Sequence, residues 1–212
     1  MDLHVWLAYF VASWAIAISP GSGAVLSMSH GLSYGVRRTT ATIIGLQIGI
    51  AVILLIAGVG VGAILVASAT AFTVVKVLGA CYLLWLGWRQ WRAPVAVQSD
   101  AVQAVTGGEA MLSVRQRILR GAFTNMTNPK GIVFMVAVLP QFIDPARPLW
   151  LQLPVLLLTT MSVDMVVMHG YAWLASRLQR LMRSVRARRT QNRVLGSVLM
   201  VMGASLFLFK RG

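Results

Sequence analysis

The chain has 212 residues, 58% of them apolar, and a mean hydropathy of +0.75. Soluble domains run nearer about 45–50% apolar, so this composition describes an integral membrane protein with little chain left for a soluble module. The net charge of +14, from 19 Lys and Arg against 5 Asp and Glu, sits between apolar runs, where charge asymmetry across a membrane accounts for it without nucleic acid.

The apolar runs are long and continuous, which excludes the short alternating segments of an outer-membrane barrel. Cys81 is the single cysteine, so no intramolecular disulfide, zinc cluster or dithiol relay can be built. No P-loop occurs, and no cofactor is implied. The start, MDLHVW, lacks the positive n-region of a secretory signal, so the first apolar run is expected to be retained.

A membrane span needs about 20 mostly apolar residues, and six candidates occur. The first runs from about Val5 to Met28 and is interrupted at Ser19-Pro20-Gly21-Ser22-Gly23. A loop over His30–Thr40 follows, carrying Arg37 and Arg38. No charge occurs from Ala41 to Val75, a length that asks for a turn near Ser68-Ala69-Thr70. The second span is then about Thr42–Val66 and the third about Phe72–Trp91, ending in Trp85, Trp88 and Trp91 beside Arg89 and Arg92 as an interfacial belt. Ala93–Ser113, with Pro94 and Gly107-Gly108, reads as a flexible loop.

The fourth span, about Ile118–Phe142, holds Asn128-Pro129-Lys130 in its interior. Pro129 removes a backbone donor and clashes with the preceding turn, so a helix must kink or break there. The fifth span is about Leu149–Leu174 and contains Asp164 and His169. The sixth is about Val194–Phe209, after seven arginines between Arg177 and Arg193. The basic loops fall on one side, which the positive-inside rule makes cytoplasmic, with both termini outside.

A repeat agrees with this layout. Lys76-Val77-Leu78-Gly79 opens the third span and Arg193-Val194-Leu195-Gly196 the sixth, while spans one and four carry the internal prolines. Three helices per half is an odd number, so related halves must lie inverted, with a binding site at their interface. The expected fold is therefore an all-α membrane protein of six transmembrane helices in two inverted three-helix repeats, with helices one and four broken at proline. As a single transporter domain, it divides into a first repeat at about 1–92, a cytoplasmic linker at about 93–117 and a second repeat at about 118–212.

Three blocks of sequence resemble a known family. Ser19-Pro20-Gly21 followed by Gly31-Leu32-Ser33-Tyr34-Gly35 and two arginines, Leu78-Gly79-Ala80-Cys81-Tyr82 through Gly87, and Gly121-Ala122-Phe123-Thr124-Asn125 through Asn128-Pro129-Lys130 to Leu139-Pro140-Gln141-Phe142 are similar to signatures of the LysE/RhtB amino-acid exporters. They occur in the family's order and span most of the chain. The resemblance implies a bacterial inner-membrane carrier that exports amino acids or close derivatives on an ion gradient rather than ATP. One departure stands out: the family's usual Pro-Gly-Pro is here Pro20-Gly21-Ser22, and no acidic residue occupies Gly23.

Asp164 is the only acid clearly inside a span. A mid-membrane acid costs on the order of 2.5–3.5 kcal/mol on insertion scales unless it is paired or wetted. It suits a proton site or a counter-charge for a substrate ammonium, with pairing to Lys130 or an asparagine as the structural alternative. Lys130 could meet a substrate carboxylate, pair with Asp164 or snorkel to an interface. Asn125 and Asn128 suit zwitterion recognition or capping of a broken helix. Pro20, Gly21 and Pro129 would act through exposed amides and half-helix dipoles. Gln47 fits either a bundle hydrogen bond or a pocket group. His169 lies about 140° round the helix from Asp164, so no relay joins them. Gly45 and Gly49 form a small-xxx-small pair suited to close helix packing.

The expected partners are an amino acid and the lipid bilayer, with no nucleic acid; association of copies of the chain is compatible with the sequence. A cation exporter is disfavoured because the core offers one carboxylate and no thiol pair. Another small solute, or a non-transport biogenesis protein, stands as the alternative; redox work would need a second cysteine.

Overall fold

The protein, as a computed structural model, is described over residues 1–67, 69–92 and 112–177, with Arg193, Ser197, Met200, Val201 and Ala204. Among these residues every regular element is helical. In chain order they are α1 (Leu3–Ile18), α2 (Ser22–Ala67), α3 (Ala69–Arg92), α4 (Val114–Met126), α5 (Pro129–Val133) and α6 (Leu149–Arg177). Between α5 and α6 the chain passes through a π turn, Phe134–Val138, and a 3-10 turn, Leu139–Phe142. Most of the expected sixth span, most of the basic run before it, and the loop over residues 93–111 lie outside the described residues.

The expected loop over His30–Thr40 is not there. Residues 22–34 and 36–67 are two helical arms joined at a single non-helical residue, Gly35, with φ 73° and ψ 165°. That region belongs almost wholly to glycine, because a Cβ there meets the backbone. The arms fold back on each other: His30 Nδ1 lies 2.6 Å from Thr42 Oγ1, and a methyl at Gly23 would stand 3.3 Å from Leu46 Cδ2. One glycine thus replaces an eleven-residue loop. The first helical stretch accordingly continues past Met28 to Tyr34.

The linker also ends earlier than residue 117. Ser113 caps α4, accepting from the Gln116 amide while the Gln116 side chain accepts from the Ser113 amide, so Val114–Arg117 are already helix. This reciprocal arrangement satisfies two donors that a helix start leaves open.

The second arm of α2 packs along α4 and α6, and α1 runs beside α6. The α2–α4 contact is backbone against backbone. A Cβ at Gly45 would stand 2.0 Å from Ile118 O, and one at Gly121 would stand 2.2 Å from Thr42 O. Small residues let helices approach this closely where no hydrophobic drive exists between them. Two buried clusters result: Tyr9, Ile50, Leu54, Phe134, Leu139 and Leu156 form one, and Ile43, Leu46, Met168 and Tyr171 anchor the other. Outward, α2 and α6 expose Ile48, Ile56, Val59, Leu158, Val166 and Trp173. Two described helical stretches, Ser22–Gly60 and Leu149–Arg177, are long and apolar enough to cross a membrane.

An exposed clamp ties the start of α1 to the entry of α6. Arg147 pairs with Asp2 at 2.8 Å and with Asp144 at 3.2 Å. The Arg147 hydrogen bond, then its charge, hold the Asp2 carboxyl below its ordinary range. The clamp therefore acts above the ordinary aspartate pKa of about 3.9 and is lost as pH falls through the lowered value.

Gly45→Leu should lower stability in detergent by about 1–3 kcal/mol or prevent folding, since backbone atoms occupy the space its side chain needs. Gly60→Ala, where an added Cβ meets nothing within 4 Å, should be neutral or stabilising by up to about 1 kcal/mol. Thermal unfolding of both purified variants checks the contrast.

Candidate functional site

Helix α1 stops at Ile18 and α2 starts at Ser22, with Pro20 in the gap; α4 stops at Met126 and α5 starts at Pro129. Proline at the first position of α5 fits because its missing N–H would have no helical partner there. Asn128 caps this start, its Oδ1 accepting from the Lys130 amide at 3.2 Å. The two interruptions face each other: a methyl at Gly21 would stand 3.2 Å from Lys130 Cε and 3.5 Å from Asn128 Nδ2.

Lys130 makes no direct ion pair with Asp164 among the described residues. Its Nζ donates to Ile16 O at 2.9 Å and to Ser19 O. These are carbonyls at the C-terminal end of α1, the negative end of a helix, where a cation is favoured. Tyr171 Oη donates to Ile18 O at 2.5 Å from the other side. The end of α1 is therefore closed by side chains from α5 and α6.

Asn125 is fixed by the α2–α4 contact. Its Nδ2 donates to Leu46 O at 2.9 Å, and its Oδ1 accepts from Asn128 Nδ2 at 3.5 Å. Gly49 makes room for it, since a Cβ at Gly49 would stand 2.8 Å from Asn125 Cβ. Across the bundle, Gln47 Nε2 donates to Asp164 Oδ2 at 2.7 Å. Asp164 makes no ion pair among the described residues. His169 turns away and lies 3.3 Å from Thr40 Oγ1, which agrees with the helical spacing.

These groups surround a cavity of about 50 Å³ between the two buried clusters. Its polar wall includes Ser13, Ser19, Asn125, Asn128, Lys130 and Asp164, and its apolar wall includes Ile50, Phe134 and Met168. That volume holds a few waters and no more, so a larger solute requires the walls to part. Gly21, Gly23 and Ala24 bring the start of α2 to the cavity edge. Of the residues singled out from sequence, Gly21, Asn125, Asn128, Lys130 and Asp164 share this cavity. Gln47 stands behind Asp164, and Pro20 and Pro129 lie in the interruptions without lining it.

Sequence reasoning missed Ser13 and Thr160. Both are polar residues in apolar helices, on the faces where Tyr9 and Asp164 also lie four residues away. That spacing was the available signal.

A membrane-embedded helical bundle with a polar cavity between interrupted helices is the architecture of a translocator. The family model described as LysE type translocator matches residues 14–209. The chain belongs to the LysE family. It is 44% identical to an uncharacterized membrane protein of Vibrio cholerae, over 97% of this chain and 98% of that one. It is 40% identical to a homoserine/homoserine lactone efflux protein of Salmonella typhimurium, over 97% of each. It is 32% identical to a leucine efflux protein of Enterobacter, over 67% of this chain and 64% of that one. No solved structure matches the chain.

Lys130→Met should destabilise the protein by about 1–3 kcal/mol, because it leaves buried carbonyls of α1 without donors. Tyr171→Phe should cost less, about 1 kcal/mol, since one neutral hydrogen bond is lost. Unfolding midpoints in detergent for the single and double variants measure whether both donors hold the same helix end.

Proposed function

We propose that this protein is a secondary transporter of the bacterial inner membrane that exports amino acids or close derivatives, driven by the proton gradient. The observation that carries the proposal is the meeting of an acid, two amides and the start of α2 around one small cavity inside an apolar bundle. Family membership and the efflux proteins among its relatives support the same direction.

The substrate carboxylate sits against the open amides at the start of α2, near Gly21, and the Asn128 amide. Its ammonium faces Asp164, which Gln47 holds in place. Asn125 braces Asn128. Pro20 and Pro129 keep their helices from closing over these groups. Lys130 anchors the end of α1 and so couples the two interruptions.

The chain forms six membrane helices as two inverted three-helix repeats, at about 1–92 and from Val114 onward, with the basic loops cytoplasmic. Rocking of one repeat against the other opens the cavity to either side in turn. Asp164 takes a proton from outside when the amino acid leaves and releases it inside, so inward proton flow drives export. Since a buried acid in a span is retained at a cost of several kcal/mol, a role in coupling accounts for its presence.

The test is efflux from cells preloaded with a labelled amino-acid panel, with and without this protein, before and after collapse of the proton gradient. Gradient-dependent loss of one compound is expected. Asp164→Asn should cut that efflux by about tenfold or more, a loss of roughly 1.4 kcal/mol in the coupled step, while protein stays in the membrane at normal level. Undiminished, gradient-dependent efflux by Asp164→Asn would overturn the assigned coupling site.

A further inference from the structure

A second cavity lies away from the interrupted helices, between the starts of α1 and α6. It is a groove of about 470 Å³ with Leu3, Trp6, Pro148, Leu151 and Val155 in its wall and Arg147 at its mouth. That volume falls in the range of about 300–1,000 Å³ in which small molecules bind. The groove opens sideways from the bundle: Leu3, Leu151 and Val155 are exposed, as are Leu7, Val11 and Leu158 further along the same two helices. In a membrane protein such a face looks onto lipid. Trp150, also exposed beside the mouth, suits the level where hydrocarbon gives way to headgroups.

The polar groups within the groove are already satisfied. Trp6 Nε1 donates to Thr159 Oγ1 at 3.0 Å. Gln152 Nε2 donates to Asp144 O at 2.9 Å and to Arg147 O at 3.0 Å, while its Oε1 accepts from the Asp144 amide at 2.8 Å. The groove therefore asks for an apolar occupant, and no water is present in hydrocarbon to fill it.

The mouth is different, because both signs of charge stand side by side there. Arg147 Nη2 meets Asp2 Oδ1 at 2.8 Å, and Arg147 Nε meets Asp144 Oδ2 at 3.2 Å. His4 and the Met1 amino group add positive charge near Asp2. Among the described residues these ion pairs leave Arg147 Nη1 and Asp2 Oδ2 open, one a donor and the other an acceptor. Exposed ion pairs of this kind are weak, on the order of 0–1 kcal/mol, so they accept a further partner readily. An anionic headgroup would meet two carboxylates. A headgroup that carries an ammonium next to its phosphate would meet a partner for each charge.

We infer that this groove is a lipid site that holds an acyl chain of a phospholipid with a primary ammonium in its headgroup, of the ethanolamine type. The phosphate takes the Arg147 guanidinium, which forms its strongest hydrogen bonds with such anions. The ammonium donates to the Asp2 carboxylate. A quaternary ammonium has no N–H to give, so the choline headgroup loses that bond. The lipid then bridges the first turn of α1 and the entry of α6. The inference rests on the membrane setting of the chain and is independent of the substrate proposed above.

The experiment takes the full chain, purified in detergent and stripped of lipid, and titrates it with three dioleoyl phospholipids whose headgroups are ethanolamine, choline and glycerol. Native mass spectrometry counts the lipids bound per chain, and the unfolding midpoint is followed in parallel. One ethanolamine lipid should bind per chain at least about tenfold more tightly than the other two. Arg147→Gln should weaken it by about tenfold, and Asp2→Asn should bring the ethanolamine and choline lipids within about threefold of each other. Val155→Trp, which fills the groove and leaves the ion pairs in place, should remove the tight site for all three lipids. Ethanolamine lipid should raise the unfolding midpoint of the native chain by about 3 °C or more, and that of Val155→Trp by less than about 1 °C. Asp2→Asn and Arg147→Gln alter exposed side chains, so the headgroup order stays readable even where Val155→Trp does not fold. If Asp2→Asn lowers the midpoint but leaves the headgroup order unchanged, the clamp is structural only and the inference is overturned. Equal binding of the three lipids, or tighter binding of the glycerol lipid, overturns it as well.

Discussion

A helix interrupted inside hydrocarbon leaves carbonyls that no water can reach, and they must find donors within the protein. The end of α1 meets that requirement with Lys130 from α5 and Tyr171 from α6, which together reach the carbonyls of Ile16, Ile18 and Ser19. The arrangement joins three elements at one point. It also gives the Lys130 ammonium buried partners in the absence of a direct ion pair to Asp164 among the described residues. Its charge meets the negative end of a helix, and those charge-assisted bonds are stronger than neutral ones. The interruption at α1 is stabilised by the interruption at α5, so neither is independent of the other.

The opposite wall is built by close packing rather than by charge. Gly45, Gly49 and Gly121 bring the α2 and α4 backbones into contact, so Asn125 can reach the carbonyl of Leu46 and brace Asn128. In membranes the gain from such contacts is van der Waals and hydrogen-bonding in origin, since lipid tails are as apolar as the side chains they replace. One wall of the cavity is thus a tight glycine seam, and the other depends on a few directional hydrogen bonds to α1. Packed interfaces shift between discrete arrangements and do not stretch. The cavity, with room for only a few waters, lies between walls held in these two different ways.

The π turn after α5 belongs to the same logic. Phe134 and Met135 line the cavity from that turn, and insertions of this kind recur at functional positions because they re-aim side chains within a continuing helix. On its outer side, a methyl at Gly79 of α3 would stand 1.9 Å from Ala137 Cβ, so α3 holds the turn from behind. Pro154 lies within α6, whose backbone stays helical through it.

Much of this was legible in the chain itself. Hydropathy and the placement of arginine describe a membrane protein, because burial in lipid tolerates few alternatives to apolar helices. Proline 129 can only begin a helix or bend one, and an acid at position 164 inside an apolar run needs a reason. Asn128 as a cap and the Gly45–Gly49 pair followed from spacing alone. The tertiary structure decided the rest. Gly35 closes the α2 hairpin in one residue, where the eleven residues His30–Thr40 looked like a loop, because a turn's length depends on how its arms pack. The partners of Lys130 lie more than 110 residues away, and those of Tyr9 and Tyr171 more than 150. Ser13 becomes part of the cavity only when α1 is set against α6 in one register. Local chemistry determines which backbone is allowed and which groups must be satisfied; only the assembled bundle determines which of the many available groups satisfies them.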